Sequence, residues 1–481
     1  MRAIGSGTSL LERRFKIRES GSTLRTEVVA GLTTFMTMAY ILFVNPQILG
    51  SVADSEGHKL AFPLVLTVTA LAAGVSTLAM GLIANYPFAL AAGLGLNAVV
   101  AFQLVLGSRL TWAEAMGVIV TEGLVITALV LIGVREAVMN AIPHALKQAI
   151  GVGIGLFVAF IGFFNAGFVG KPRSPSQLVE LGRGGELQGL PVAVFVLGLI
   201  LTSYLVARRT RGALLIGILV TTTLAVLANE LLAGGKAWSS LGPGVARFPS
   251  RVGSIVAVPA RENFGLLGHF SFGFLPKMGL LGGLLAVFTI MLSDFFDTMG
   301  TVIALGGKAG FLDVGDRLPR IQQVLLVDSM AAAVGGALSA SSNTTYIESA
   351  AGISEGGRTG LVSVVAGVAF LASIVAWPLA DVIPPQATAP TLVIVGFLMM
   401  EIVREIPWED VEVSIPAFLT AVVMPFTFSI TNGIGAGFIS YTAIKLLRGK
   451  ARDVHWMMYV AALAFLVYFA IRYVRSALGI A

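Results

Sequence analysis

The sequence predicts an all-α polytopic membrane protein of about fourteen transmembrane segments, folded as two inverted seven-segment repeats. Three observations carry this reading. Of 481 residues 56% are hydrophobic and only 12% charged, with a mean hydropathy of +0.88, outside the balance of a soluble domain. Apolar runs recur at about 20 residues, the length a helix needs to cross roughly 30 Å of hydrocarbon. Seven such runs lie on each side of a central polar stretch, and an odd number per half sets two similar halves in opposite orientations. A β-barrel would alternate with period two, which the sequence does not, and the 56 glycines suit close helix packing.

In chain order, a basic N-terminal region (1–27) carries Arg13, Arg14, Lys16, Arg18 and Arg25 and shows no cleavage-like site. The first repeat (28–233) holds runs near 28–48, 61–83, 88–107, 112–133, 146–167, 189–207 and 212–233. A Gly- and Pro-containing extramembrane linker occupies 234–278. The second repeat (279–447) holds runs near 279–305, 321–338, 344–355, 360–380, 390–403, 413–430 and 433–447. The basic C-terminal region (448–481) contains a surplus apolar segment near 455–474. That segment is either a fifteenth span or a sign that 413–447, interrupted at Asn432-Gly433, does not cross twice.

A cytoplasmic N-terminus puts Arg208, Arg209 and Arg211, then Lys308, Arg317 and Arg320, then Lys445, Arg448, Lys450 and Arg452 on the cytoplasmic side, as the positive-inside rule requires. The expected location is therefore the cell (plasma or inner) membrane. The halves echo each other: "GLTTFMTMAY" from Gly31 resembles "GLLAVFTIML" from Gly283, 252 residues on, and "ALAAGLGLNA" from Ala89 resembles "ALSASSNTTY" from Ala337, 248 on.

Composition also excludes chemistries. With no cysteine, disulfides, thiolate metal sites and cysteine nucleophiles are ruled out. The formal charge of +6 is spread over short loops rather than one patch, which speaks for topology and against nucleic acid. His58, His144, His269 and His455 are scattered in or near loops, and neither HExxH nor Gly-x-Ser-x-Gly occurs, so no enzyme, metal site or cofactor is expected.

The polar residues inside apolar runs point to a transport site. The third and tenth segments, the pair just matched, start in Gly- or Ser/Thr-rich sequence and become helical only afterwards, the mark of discontinuous segments at a midplane site. "SSNTTY" suits an extended strand, with Thr344 and Thr345 as candidate contacts, and "IESAAGI" begins a short helix at Glu348. Asn97 holds the comparable junction in the first half. In the eighth segment, "LSDFFDTMGT" spaces Asp294 and Asp297 by three and Asp297 and Thr301 by four, which puts them on one helical face. A charged Asp at a helix centre costs about 2.5–3.5 kcal/mol on insertion scales, so function is the default reading. Asp294 alternatively pairs with a lysine or caps a broken helix. Asp328, in the ninth segment, is read equally as a structural hydrogen-bond acceptor or a coupling group, with Thr301 a further coupling candidate.

Together "TTFMTMAYILFVNP", "GLGLNA", "DFFDTMGT" and "YIESAAGISEGGRTGL" resemble the signature regions of the AzgA-like purine permeases, a branch of the nucleobase:cation symporters related to the xanthine and uracil permeases. The likeness runs from about Arg25 to Leu447. It implies proton-coupled uptake of purine bases, often by a homodimer, through a core domain (28–133 plus 279–380) moving against a gate domain (146–233 plus 390–447). It assigns Asp297 and Glu348 as the carboxylates that meet the base and Asn97 as the third-segment contact. The missing proline before "GLGLNA" and the "SSNTTYIES" run, closer to the uracil and xanthine branch, leave the choice of base open.

The chemistry of the residues agrees. A purine presents N–H donors beside ring-nitrogen acceptors, and two carboxylates on opposing elements accept from its edges. Two carboxylates crowded in a low dielectric favour protonation of one, which gives a coupling mechanism. Sodium coupling through Asp294, Asp328 and carbonyl oxygens stays open at this point. An anion transporter of the same architecture would put a cation, not two carboxylates, at the site.

Overall fold

The computed structural model describes residues 10–133, 141–172, 178–238, 256–313 and 318–477, the side chains of 10, 380, 381 and 471–477 apart. A short α1 (Leu10–Phe15) precedes a broken first segment, α2 (Leu24–Met38) and α3 (Ile41–Leu49). The Thr23 hydroxyl caps α2 by accepting from the Thr26 N–H. After α4 (Phe62–Ala79) come strand β1 (Leu90–Ala92) and α5 (Leu94–Ala98), which runs on in wide π turns to Gly107. Next is α6 (Trp112–Leu131), opened by a capping box between Thr111 and Glu114. The first half closes with α7 (His144–Asn165), α8 (Leu190–Ala207) and α9 (Ala213–Ala233); between α7 and α8, β2 (Val169–Gly170) pairs with β3 (Glu180–Leu181).

The second half starts with α10 (Phe274–Ala309), kinked at Gly279, whose φ of 74° suits glycine alone. It continues through α11 (Ile321–Ala337), strand β4 (Asn343–Thr345), α12 (Ser349–Ser354), α13 (Gly360–Ala372), α14 (Pro385–Met400), α15 (Val411–Thr427), α16 (Ile430–Leu447) and α17 (Trp456–Ala477). Among the described residues, nine helical stretches are long and apolar enough to cross a bilayer, and four shorter apolar helices accompany them.

Packing sorts the helices into two groups. One joins α2, α4, α6, α10, α11, α12 and α13 around β1 and β4; the other joins α7, α8, α9, α14, α15 and α16. Within each, glycines let backbones touch: a Cβ on Gly81 would lie 2.4 Å from the Gly360 oxygen, and one on Gly396 2.4 Å from the Gly155 oxygen. Large side chains such as Leu197, Ile200 and Leu227 point outward, as a lipid-facing surface requires.

The expected segments recur with small shifts. The eighth is helical on to Ala309 rather than 305. The expected interruption at Asn432-Gly433 lies instead at Phe428-Ser429: Phe428 is left-handed (φ 55°), and the Ser429 hydroxyl caps α16 by accepting from Asn432 N–H. Gly433 serves packing, since a Cβ there would meet Met424 Cγ at 2.3 Å. The surplus segment at 455–474 is α17, which packs on α16 and α10. Arg317 of the second basic cluster, residues 1–9 of the N-terminus and 239–255 of the linker lie outside the described residues.

Candidate functional site

Extended backbone deep in a membrane protein needs partners for every N–H and C=O. Here each strand supplies the other's. β1 and β4 pair antiparallel with Leu90 opposite Thr345, Ala91 opposite Thr344 and Ala92 opposite Asn343. The ladder extends through Gly93 N–H to Ser342 O (2.9 Å) and Tyr346 N–H to Ala89 O (2.9 Å). Side chains finish it: the Thr77 hydroxyl bonds both the oxygen and the N–H of Leu90, and Ser349 Oγ accepts from Ala89 N–H at 2.9 Å. The two sequence stretches matched as repeats thus meet in space.

Asp328 of α11 anchors β4. Its Oδ1 accepts from the N–H (3.0 Å) and hydroxyl (2.7 Å) of Thr345, and its Oδ2 accepts from the Thr298 hydroxyl (2.7 Å). Thr298 has a single O–H, already given to Asp328, so the 2.8 Å contact between Thr298 and Thr344 has Thr344 as donor. The hydroxyls of Thr344 and Thr345 are therefore turned into this network, and Thr298, rather than Thr301, is the threonine of α10 that meets Asp328. Thr301 is buried one turn beyond Asp297.

Asp294 and Asp297 separate. Asp294 is buried beside Glu122 of α6, whose Oε2 takes a 3.4 Å bond from the Ser342 hydroxyl. Glu122 went unremarked in the sequence, although a lone glutamate inside "VIVTEGLVI" meets the same insertion penalty that singled out the aspartates. Asp297, one turn on, is exposed and faces open space, within electrostatic reach of Asp328 and Glu348.

Glu348 is half-buried at the start of α12. The first segment holds it: the Tyr40 hydroxyl donates to Oε1 at 2.6 Å. Arg358 caps the far end of α12 through the oxygens of Ile353 and Gly357. Asn97, at the end of α5, is fully buried, and neither amide atom has a hydrogen-bond partner among the described residues. Unsatisfied buried amides are rare, and a ligand is one way to satisfy them.

Two cavities lie away from these groups. One of about 440 Å³ is lined by Asp54, His58, Trp112, Glu114 and His269; the other, of about 430 Å³, is apolar and lies between α10, α16 and α17. All four histidines are exposed, and among the described residues no three His, Asp or Glu side chains are grouped to hold a metal ion.

A family model described as "Permease family" matches residues 25–436. The chain is 40% identical to the adenine permease AdeP of Escherichia coli (strain K12), over 96% of both chains. It is 38% identical to the guanine/hypoxanthine permease PbuG of Bacillus subtilis (strain 168), over 95% of this chain and 98% of that one. Among solved structures, the transmembrane domain of a cyanobacterium bicarbonate transporter, BicA, superposes with a TM-score of 0.58 at 15% identity, covering 86% of this chain and 97% of its own. Murine Slc26a9, an anion transporter in the inward-facing state, gives 0.57 at 10% identity, covering 93% and 73%. The fold is thus that of two inverted seven-segment repeats, with the third and tenth segments part strand and part helix.

Proposed function

Because the chain belongs to the xanthine/uracil permease family, we propose that it imports purine nucleobases of the adenine, guanine and hypoxanthine class in symport with protons. The observation that carries this reading is the pairing of Asp297 and Glu348, on α10 and α12, within electrostatic reach of each other beside the β1–β4 pair. Two acceptor-only groups suit a ligand rich in N–H donors. They repel an anion, so the bicarbonate transporter's likeness extends to fold alone. Asn97 supplies an amide that can both donate and accept. Asp328, already bonded to Thr298 and Thr345, acts by holding β4 in place.

Protons are the favoured driving ion because carboxylates crowded in a low dielectric, Asp297 near Glu348 and Asp294 beside Glu122, are discharged more cheaply by protonation than left charged. Asp328's oxygens, taken by hydroxyl and N–H donors, are poorly free to ligate sodium. The helix groups suggest the moving parts: a core of 28–133 with 279–380 carries the site and shifts against a gate of 146–233 with 390–447, giving alternating access. The N-terminus lies in the cytoplasm of a plasma or inner membrane, and the working unit is a homodimer.

The test is uptake of radiolabelled adenine, guanine and hypoxanthine into proteoliposomes with an acidic exterior in sodium-free buffer. Accumulation above equilibrium is expected, and an uncoupler abolishes it. Accumulation that needs a sodium gradient overturns the proton mechanism; no uptake of any purine base under either gradient overturns the substrate class. Glu348→Gln and Asp297→Asn are expected to lose uptake at normal expression, with Asp294→Asn milder.

A further inference from the structure

Glu27, Asp328 and Glu122 are all buried, and the first two are well supplied with donors. Glu27 accepts from two backbone N–H groups and a hydroxyl, and Asp328 from one N–H and two hydroxyls. Glu122 differs. It has one long bond, 3.4 Å from the Ser342 hydroxyl to Oε2, and its Oε1 meets no donor among the described residues. Beside it lie two further carboxylates, Asp294 of α10 and Asp328 of α11. The third-segment stretch Val99–Gly107, which also packs on α6, has no charged side chain. Among the described residues the one buried Lys or Arg is Lys445, which is bonded to Glu412 of α15. No buried cation therefore offsets Glu122. Keeping an uncompensated carboxylate in such surroundings costs more than protonating it, and a proton on Glu122 supplies the donor that these acceptors lack.

We propose that Glu122 carries the transported proton. An O–H bond forms on its carboxylate from a proton of the outer solution, and that bond breaks to release the proton to the cytoplasm, once per base imported. The inference rests on the proton-coupled uptake proposed above. Glu122 acts on the base through its neighbours. Ser342, its hydrogen-bond donor, immediately precedes β4, and the Ser342 carbonyl accepts from Gly93 N–H just after β1, so the charge on Glu122 is tied to both strands of the pair. Asp328 is within electrostatic reach of Glu122 and of Asp297 alike, and α10 carries Asp294 and Asp297 one turn apart. Discharging Glu122 thus changes the field at the base site without any contact to the base.

The experiment compares wild type with Glu122→Gln in proteoliposomes held at zero membrane potential, using whichever of adenine, guanine and hypoxanthine the wild type transports fastest. With one proton per base, an exterior more acidic by about one pH unit drives about tenfold accumulation. Wild type is expected to reach that level. Glu122→Gln is expected to stop at equal concentrations inside and out while still exchanging labelled for unlabelled base, and its uptake rate no longer rises as the exterior is acidified. Undiminished accumulation by Glu122→Gln overturns the proposal, because the proton then rides elsewhere. Loss of exchange together with accumulation, at normal expression, also overturns it, because Glu122 is then a structural residue. Should the Gln variant fail to fold, Glu122→Met, of similar length and with no polar atom left to satisfy, carries the same comparison. A wild type that accumulates nothing under the pH gradient removes proton coupling itself, an outcome distinct from the failure of Glu122 alone.

Discussion

Asp328 Oδ1 and Thr345 share two hydrogen bonds, one from the backbone N–H at 3.0 Å and one from the hydroxyl at 2.7 Å. A carboxylate on the ninth segment thus fixes the strand of the tenth at the residue facing Leu90. Hydrogen bonds to charged groups are worth about 1.5–3 kcal/mol each. Asp328→Ala is expected to lower the melting temperature in detergent by several degrees and to abolish uptake, and Thr298→Val, which removes one of the three bonds, to do less. Normal uptake by Asp328→Ala would show that β4 holds its place without it.

Glu27 of α2 is fully buried and carries the start of α13. Its Oε1 accepts from Arg358 N–H at 2.9 Å, and its Oε2 from Thr359 N–H at 3.1 Å and the Thr359 hydroxyl at 2.6 Å. An anion at a helix N-terminus is favoured by the helix dipole as well as by these bonds. Glu27→Ala strands three donors and is expected to destabilise the protein by about 2–4 kcal/mol. Glu27→Gln, which keeps one acceptor oxygen, should do about half of that. Denaturation midpoints in detergent check both, with KM for base unchanged in the folded fraction.

Gly352→Ala puts a methyl 2.5 Å from the Ala30 backbone oxygen as well as against Thr34. Backbone cannot rotate aside, so α12 must shift and take Glu348 with it. Base binding is expected to fall at least tenfold while expression stays within a few-fold of wild type, since overpacking costs about 1–3 kcal/mol. Equal affinity in radioligand binding would mean that the helix absorbs the methyl without moving Glu348, which precedes it.

Gln103 of the third segment joins the opposite helix group: its Oε1 accepts from Thr431 N–H at 3.1 Å, and its Nε2 donates to the Thr431 hydroxyl. Phe102 beside it meets Phe157 and Phe428 edge-on, with centroids 6.4 and 5.7 Å apart. If the core slides against the gate, this contact must break in each cycle. The chain has no cysteine of its own, so Gln103→Cys with Thr431→Cys can be bridged by a short bifunctional maleimide. Uptake is expected before bridging and not after it; continued transport by the bridged protein would mean the two groups move as one.

The segments were legible because hydrocarbon imposes length and apolarity on each of them. The extended start of the tenth segment was legible because "SSNTTY" is a poor helix former inside otherwise helical sequence, whereas "ALAAGL", rich in Ala and Leu, was marked only by its match to the second half, and that the two stretches pair was not legible. Asp294, Asp297 and Glu348 stood out by charge. What the sequence concealed is which partner each polar group finds. Thr344 and Thr345 read as ligand contacts, but their hydroxyls serve Thr298 and Asp328, on two other helices. Tyr40 ends an apolar-looking "MTMAY", and nothing local marks its phenol as the donor to a residue 308 positions away. Asn432-Gly433 read as a break because Asn and Gly end helices; here a capping serine three residues earlier had already started the next one.

The β1–β4 pair also has a consequence for biosynthesis. Ala89 and Ser349, which hydrogen-bond at one end of the pair, are 260 residues apart. At about 5–20 residues per second, the ribosome takes roughly 13 to 52 seconds to deliver the second after the first. Throughout that interval the groups that bond across to the second stretch, the Ala89 C=O and the Gly93 N–H among them, lack their partner, at several kcal/mol per group if lipid surrounds them. The third segment is therefore the last part of the first half to settle in the bilayer. A nascent chain halted between its two strands keeps that segment in water or in the insertion machinery.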